Sequence, residues 1–251
     1  MMTSTSFKNK LNKILIGLFW ILLWQIGSVF IAEEILLPSP LLVFKEIVSL
    51  LKSSNFYISL LLSLIKIFIG FLASIIGGII FAYISYRNKI FYEFINPLIL
   101  IFRSVPLASI VIFLLFWIDS DNLSIYVAFI MAMPLIYTST YVGFKSIDPD
   151  ILTMAKLYEV SELKRIRYIY RIKLRDFVSS SIISVSGLVL KAGISAELIG
   201  LAQNSIGQNL YNAKVYLDMV NLFAWTIVIL TISMVFEKLL KKLFGEANDW
   251  I

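Results

Sequence analysis

Six apolar runs separated by basic clusters dominate this chain and restrict what it can fold into. They cover about 14–32, 56–83, 97–118, 123–144, 177–201 and 219–236. A run of about 20 apolar residues matches the bilayer's hydrocarbon thickness as a helix, and a helix satisfies its backbone polar groups internally. Only 15% of the 251 residues are charged, too few to solvate a soluble surface of this size. The expected fold is therefore an all-α membrane protein, one domain over 1–251 with about six transmembrane helices.

The first run, Ile14 to Ala32, has Gln25 as its only strongly polar residue and follows Lys8, Lys10 and Lys13. It could serve as a signal peptide, but its length and the lack of a small-x-small cleavage pattern favour a retained span. After it, Ser39 can cap a helix that starts at Pro40. Val43, Phe44, Ile47, Leu50 and Leu51 recur there at helical spacing, which gives either an interfacial helix or a plain connector. The second run carries Lys66 and the small residues Gly70, Ala73, Ser74, Gly77 and Gly78, which allow close helix approach in lipid. The third is interrupted by Arg103-Ser104-Val105-Pro106. Pro106 removes a helical hydrogen bond to Phe102, so this run is expected to kink or split.

Orientation follows from the basic residues. The N-terminus, Arg87 with Lys89, the segment 145–176 and the C-terminus together hold 16 of the 22 Lys and Arg residues. With six spans these four regions fall on one side, and the positive-inside rule makes both termini cytoplasmic. The same distribution explains the net charge of +6 as a topology signal and gives no reason to expect nucleic acid as a partner.

The chain has no cysteine and no histidine, which excludes disulfides, imidazole or thiolate metal sites, and Ser-His or Cys-His catalysis. No glycine-rich loop precedes a Lys-Ser/Thr pair, so no P-loop is present. No catalytic residue, cofactor or metal site is expected. If ATP drives this protein, another subunit hydrolyses it.

The segment 145–176 has a different pattern. Asp148-Pro149 reads as a cap and first turn, and Ser161 offers a second cap before Glu162-Leu163-Lys164-Arg165. Two short amphipathic helices with a bend between them could form a docking element; a solvated basic loop is the alternative.

Within this segment Thr153-Met154-Ala155-Lys156-Leu157-Tyr158-Glu159-Val160-Ser161 occupies the place of the cytoplasmic Glu-Ala-Ala-x-x-x-Gly motif of binding-protein-dependent ABC permeases. The chain resembles that family along nearly its whole length, and its nitrate/sulfonate/taurine (SsuC/TauC-like) branch in particular. Leu37-Pro38-Ser39-Pro40, Arg103-Ser104-Val105-Pro106, Ala192 to Gly200, Asn221 to Thr226 and Phe236-Glu237-Lys238 carry the likeness in order. The resemblance implies a type I (MetI-like) importer permease fold in a bacterial plasma membrane. It implies a permease homodimer in membrane lipid, a cytosolic ABC ATPase and an extracytoplasmic solute-binding protein. Thr153, Met154, Ala155, Tyr158, Glu159 and Ser161 would then couple the permease to the ATPase. The chain departs from the motif where Thr153 replaces Glu, Met154 replaces the first Ala and Glu159 replaces Gly, and Ile172 and Asp176 stand where the branch usually has prolines. A glycine adopts positive φ freely at such a bend, whereas Glu159 bears a modest cost unless the bend differs. Ala155→Arg is expected to uncouple transport from hydrolysis without unfolding the bundle.

Arg103, Pro106, Lys191 and Glu197 are the candidates for the translocation path or its gating. Charges within spans are costly and usually face a cavity or a partner. Lys191 and Glu197, six residues apart, do not share a helix face. Lys191 could draw in an anion, or snorkel, or pair with another span; Glu197 could be structural or gating. By family analogy the solute is a small oxyanion such as a sulfonate, nitrate or taurine, with a thiamine precursor or other vitamin-like compound as alternative. A secondary transporter independent of an ATPase is the competing class.

Overall fold

The structure is a computed structural model that describes residues 3–245, and every element among them is helical. The elements are α1 (Thr3–Ile31), α2 (Pro40–Leu50), α3 (Ser54–Arg87), α4 (Lys89–Ser104), α5 (Leu107–Leu114), α6 (Leu123–Lys145), α7 (Pro149–Leu157), α8 (Glu162–Arg165), α9 (Arg171–Gly200), α10 (Ile206–Val215) and α11 (Met219–Gly245). A single 3-10 turn, Ser120–Asn122, precedes α6, and a π turn, Ile166–Tyr170, joins α8 to α9. Four helices are long and apolar enough to cross a bilayer, and α4 with α5 makes a fifth apolar segment bent by 108°. With Leu15–Ile31 of α1, the apolar segments number about six, as the sequence leads one to expect.

Two compact units emerge. The first comprises 1–58 with 209–230. Here the loop before α2 is tied to α1: Trp24 Nε1 donates to the Pro38 carbonyl and Ser28 Oγ to the Leu37 carbonyl, each at 3.0 Å. Ser39 caps α2 by accepting from Leu42 N, and Pro40 occupies its first turn, where its missing N–H costs nothing. Trp24 stacks on Phe223, and Phe56 lies against the buried Trp225 with ring centroids 5.1 Å apart. Val43 is the buried anchor of α2, while Leu41 and Phe44 remain exposed.

The second unit comprises 59–208 with 231–251. Its centre is the α6–α9 pair, packed along their length. At one end Ala82, Ile95, Ile99, Tyr137, Phe144, Tyr170 and Leu174 form one core cluster; towards the other, Val111, Leu123, Val127, Ala192 and Ala196 form a second. Small residues bring the backbones together. A Cβ at Gly70 would collide with the Ile125 carbonyl, one at Gly78 would lie 2.9 Å from Ile136, and one at Gly193 2.5 Å from Ile67. The sequence stripe Gly70–Gly78 is thus the face on which α3 meets α6. None of the described glycines has positive φ, so here glycine serves close packing rather than turns.

Two boundaries differ from the sequence expectation. The third span was expected over 97–118 with an internal break, but α4 begins at Lys89 and the chain turns a corner of 108° between Ser104 and Leu107. Val105 is extended (φ −74°, ψ 132°) because the ring of Pro106 excludes the helical region for the residue before it. The second difference lies in 145–176. Its first half is the separate helix α7, but its second half is continuous with the fifth span, a 39-residue helical run from Glu162 to Gly200 through the π turn.

Candidate functional site

The bend after α7 is built from local rules. Asp148 accepts from Asp150 N at 2.9 Å, and Pro149 fills the first turn of the helix. The helix ends at Tyr158, after which Glu159 takes φ 49°. Val160 N then donates to the Ala155 carbonyl at 2.9 Å and Glu159 N to that of Lys156 at 3.0 Å. This is the paired hydrogen-bond pattern of a Schellman C-cap, which ordinarily takes glycine at the left-handed position. Glu159 therefore adopts the conformation a glycine would adopt, and the bend survives the substitution. A non-glycine residue there costs about 1–2 kcal/mol.

A polar hub holds the bend from the other side. Glu162 accepts a 2.9 Å hydrogen bond from Tyr83 Oη and pairs with Arg87 (3.4 Å) and Arg165 (3.2 Å). Arg165 Nε also donates to the Val160 carbonyl at 2.8 Å. Tyr83 and Arg87 lie in the last turns of α3, so the hub fastens the α7–α8 corner to the end of a span. Sequence reasoning missed this hub; the only signal for it was a carboxylate directly after a capping serine. Ser161 starts α8 with extended backbone but makes no side-chain capping bond.

The candidate coupling residues divide by exposure. Met154 and Tyr158 are exposed, and so are their apolar neighbours Leu157 and Leu163, at 79% and 80%. Thr153 is exposed and its hydroxyl is spent on the Pro149 carbonyl. Ala155 is buried at the third position from the cap. An arginine at 155 would therefore have to displace packing, so Ala155→Arg does not test docking cleanly as the sequence alone suggested.

Glu197 is fully buried in α9, and its surroundings explain how a carboxylate can be held there. Its Oε2 accepts from Ser63 Oγ at 2.7 Å and from Gly207 N at 3.4 Å. The same Ser63 hydroxyl oxygen accepts from Ile206 N at 3.0 Å. Carboxylate and hydroxyl together satisfy the first amides of α10, where the helix dipole favours negative charge. Gly207 is required, since a Cβ would lie 2.5 Å from Glu197. Glu197 Oε1 and Ser124 Oγ are both buried without a hydrogen-bond partner among the described residues. Lys66 lies one turn beyond Ser63 on α3.

The remaining candidates stand apart. Lys191 and Arg103 are exposed, and neither forms an ion pair with a described residue. Pro106 is exposed at the corner between α4 and α5. Among the described residues no group of His, Cys, Asp and Glu could hold a metal ion.

The described residues thus form an all-helical set of apolar segments with a capped α7–α8 corner. The chain belongs to the family described as the binding-protein-dependent transport system inner membrane component, whose profile matches residues 74–243. It is similar to a probable ABC transporter permease of Brucella melitensis, 22% identical over 92% of both chains. It is also similar to a putative aliphatic sulfonates transport permease protein of Bacillus subtilis (21% identical, covering 92% of this chain and 84% of that one). A nitrate import permease protein of Synechococcus elongatus is 28% identical over 64% of this chain and 58% of its own. The chain is thus an ABC permease of importer type, a multi-pass membrane protein.

Proposed function

We propose that this chain, as a homodimer, carries a small oxyanion of the sulfonate, nitrate or taurine kind across a bacterial plasma membrane. An external binding protein delivers the solute, and a separate ATPase drives the cycle from the cytoplasmic side. Both termini and the segment 145–176 lie in the cytoplasm, in line with the distribution of basic residues. The observation that carries this reading is the pinned corner between α7 and α8. Its exposed apolar side chains, Met154, Leu157, Tyr158 and Leu163, project from a backbone held by a Schellman cap and the Glu162 hub. An exposed apolar patch on a rigid base suits a partner surface, and a rigid base can transmit that partner's motion. Ala155 supports the patch from within, the exposed Thr153 lies beside it, and Glu159 and Ser161 shape the bend. ATP-driven closure of the partner would then rock the spans between inward- and outward-facing arrangements.

The solute class rests on the names of the two relatives above. Arg103 and Lys191, exposed cations on α4 and α9, are the residues through which an anion would be drawn in, with Pro106 as the corner about which α5 could swing. Glu197 fixes the end of α9 to α3 and α10 rather than meeting solute. The test is uptake into proteoliposomes that hold the purified transporter. Accumulation of a labelled alkanesulfonate that needs internal ATP and the binding protein supports the reading. Uptake driven by an ion gradient with ATP absent would assign the chain to secondary transport instead.

A further inference from the structure

Beside the Glu162 hub, and separate from the exposed patch, a cavity of about 870 Å³ opens between α3, the π turn and the first three turns of α9. One wall carries Arg167, Arg171 and Arg175, spaced i, i+4 and i+8. In a regular helix four residues overshoot a full turn. The wider π turn over Ile166–Tyr170 absorbs part of that overshoot and keeps Arg167 in line with Arg171. Among the described residues no acidic side chain lines the cavity and none forms an ion pair with the three arginines; Arg167 lies 5.6 Å over the Tyr168 ring. Leu174 and Val178 of α9 lie beside the arginines on the same helix face, and the facing walls are mostly apolar: Ile79, Ile80 and Tyr83 of α3 and Phe244 of α11.

We propose that this cavity is a binding site for an anionic phospholipid, its phosphate on the three arginines and an acyl chain along Ile79, Ile80 and Val178. Two features select this occupant. Three guanidiniums in a row with no carboxylate among the described residues beside them call for a phosphate or a similar anion, which they can hold through paired hydrogen bonds. A small hydrated oxyanion would satisfy the arginines but leave the apolar walls unmatched, whereas a phospholipid matches both halves. The location also suits it. Arg87 and the basic run 164–175 place this end of the bundle at the cytoplasmic leaflet, where anionic headgroups and juxtamembrane arginines attract each other. Bound there, the lipid would brace the start of α9 directly behind the corner offered to the ATPase. The proposal rests on the cytoplasmic placement of that corner.

The test is native mass spectrometry of the assembled transporter, with full-length permease, titrated with phosphatidylglycerol or phosphatidylcholine of equal chain length. Retention of phosphatidylglycerol over phosphatidylcholine is expected. In R171Q/R175Q the phosphatidylglycerol affinity should fall at least tenfold, at about fivefold per arginine, with phosphatidylcholine unchanged. Ile80→Trp, which fills the apolar half and leaves the charges, should lose the same lipid, and R171K/R175K, which keeps the charge but not the paired hydrogen bonds, should bind it between wild type and R171Q/R175Q. Equal binding of the two lipids, or no effect of either R171Q/R175Q or Ile80→Trp, overturns the proposal. So does phosphatidylglycerol binding only after removal of the residues beyond Phe244, because Glu246 and Asp249 would then be the occupants. Displacement of the lipid by an alkanesulfonate at transport concentrations would make the cavity part of the solute path and also overturn it. Labelling of Lys164→Cys, the sole cysteine in such a chain, from either side of sealed vesicles reads the topology independently. An external label there would count against the orientation rather than the basic cavity.

Discussion

Ser63 and Glu197 lie 134 positions apart in the chain, yet their side chains meet in a 2.7 Å hydrogen bond that no solvent reaches. The Ser63 oxygen also receives the first amide of α10, so one hydroxyl joins three helices. Removing it leaves a buried carboxylate oxygen and a buried amide each short of a partner, at about 1–3 kcal/mol or more. Ser74 is as deeply buried but bonds only the Phe71 carbonyl of its own helix. Ser63→Ala should therefore lower the unfolding temperature of the detergent-solubilised protein clearly more than Ser74→Ala. Equal shifts would mean that the Glu197 cluster contributes little.

At the bend, the left-handed conformation of Glu159 predicts an unusual gain. Glu159→Gly removes the Cβ clash and should stabilise the α7–α8 corner by about 1 kcal/mol, while Glu159→Val should weaken it. Limited proteolysis between 157 and 163 gives the comparison. Faster cleavage of the glycine variant would contradict the Schellman geometry.

Glu162 should matter locally rather than globally. Its ion pairs are partly exposed, and such pairs contribute at most about 1 kcal/mol. Glu162→Gln is expected to leave global stability within that amount while amide exchange over 158–165 speeds up. Unchanged exchange would show that the cap alone holds the corner.

The glycines separate packing from composition. Gly70→Ala forces a methyl group into the Ile125 carbonyl and should cost about 1–3 kcal/mol or prevent assembly. Gly187 meets nothing within 4 Å, so Gly187→Ala should be neutral or slightly stabilising. Expression and monodispersity on a sizing column distinguish the two.

What could be read in advance was local. The caps at Ser39 and Asp148 follow from side chains reaching two or three residues along the chain, and the spans follow from apolar length. The break at Pro106 was legible as a break, but its angle depends on how α5 packs on α6 and α9. Left-handed Leu201 and Leu217 were not legible, because nothing in a leucine favours positive φ and only the surrounding helix ends impose it. The Ser63–Glu197 bond and the Tyr83–Glu162 bond join positions 134 and 79 residues apart, and such pairings belong to the packed fold. Which side chains of the 153–161 segment face outward emerged only with the helix in place.

The most direct test of the account is a photo-cross-linking amino acid at Leu157, activated in native membranes, with the adducts identified by peptide sequencing. Leu157 is among the most exposed apolar side chains of the corner, and Ala155, two residues before it, is buried and serves as the control position. The account predicts an adduct between Leu157 and an ATPase that carries a P-loop, and none from Ala155. If Leu157 meets only lipid or solvent while an ATPase cross-links elsewhere on the chain, the α7–α8 corner is not the docking surface.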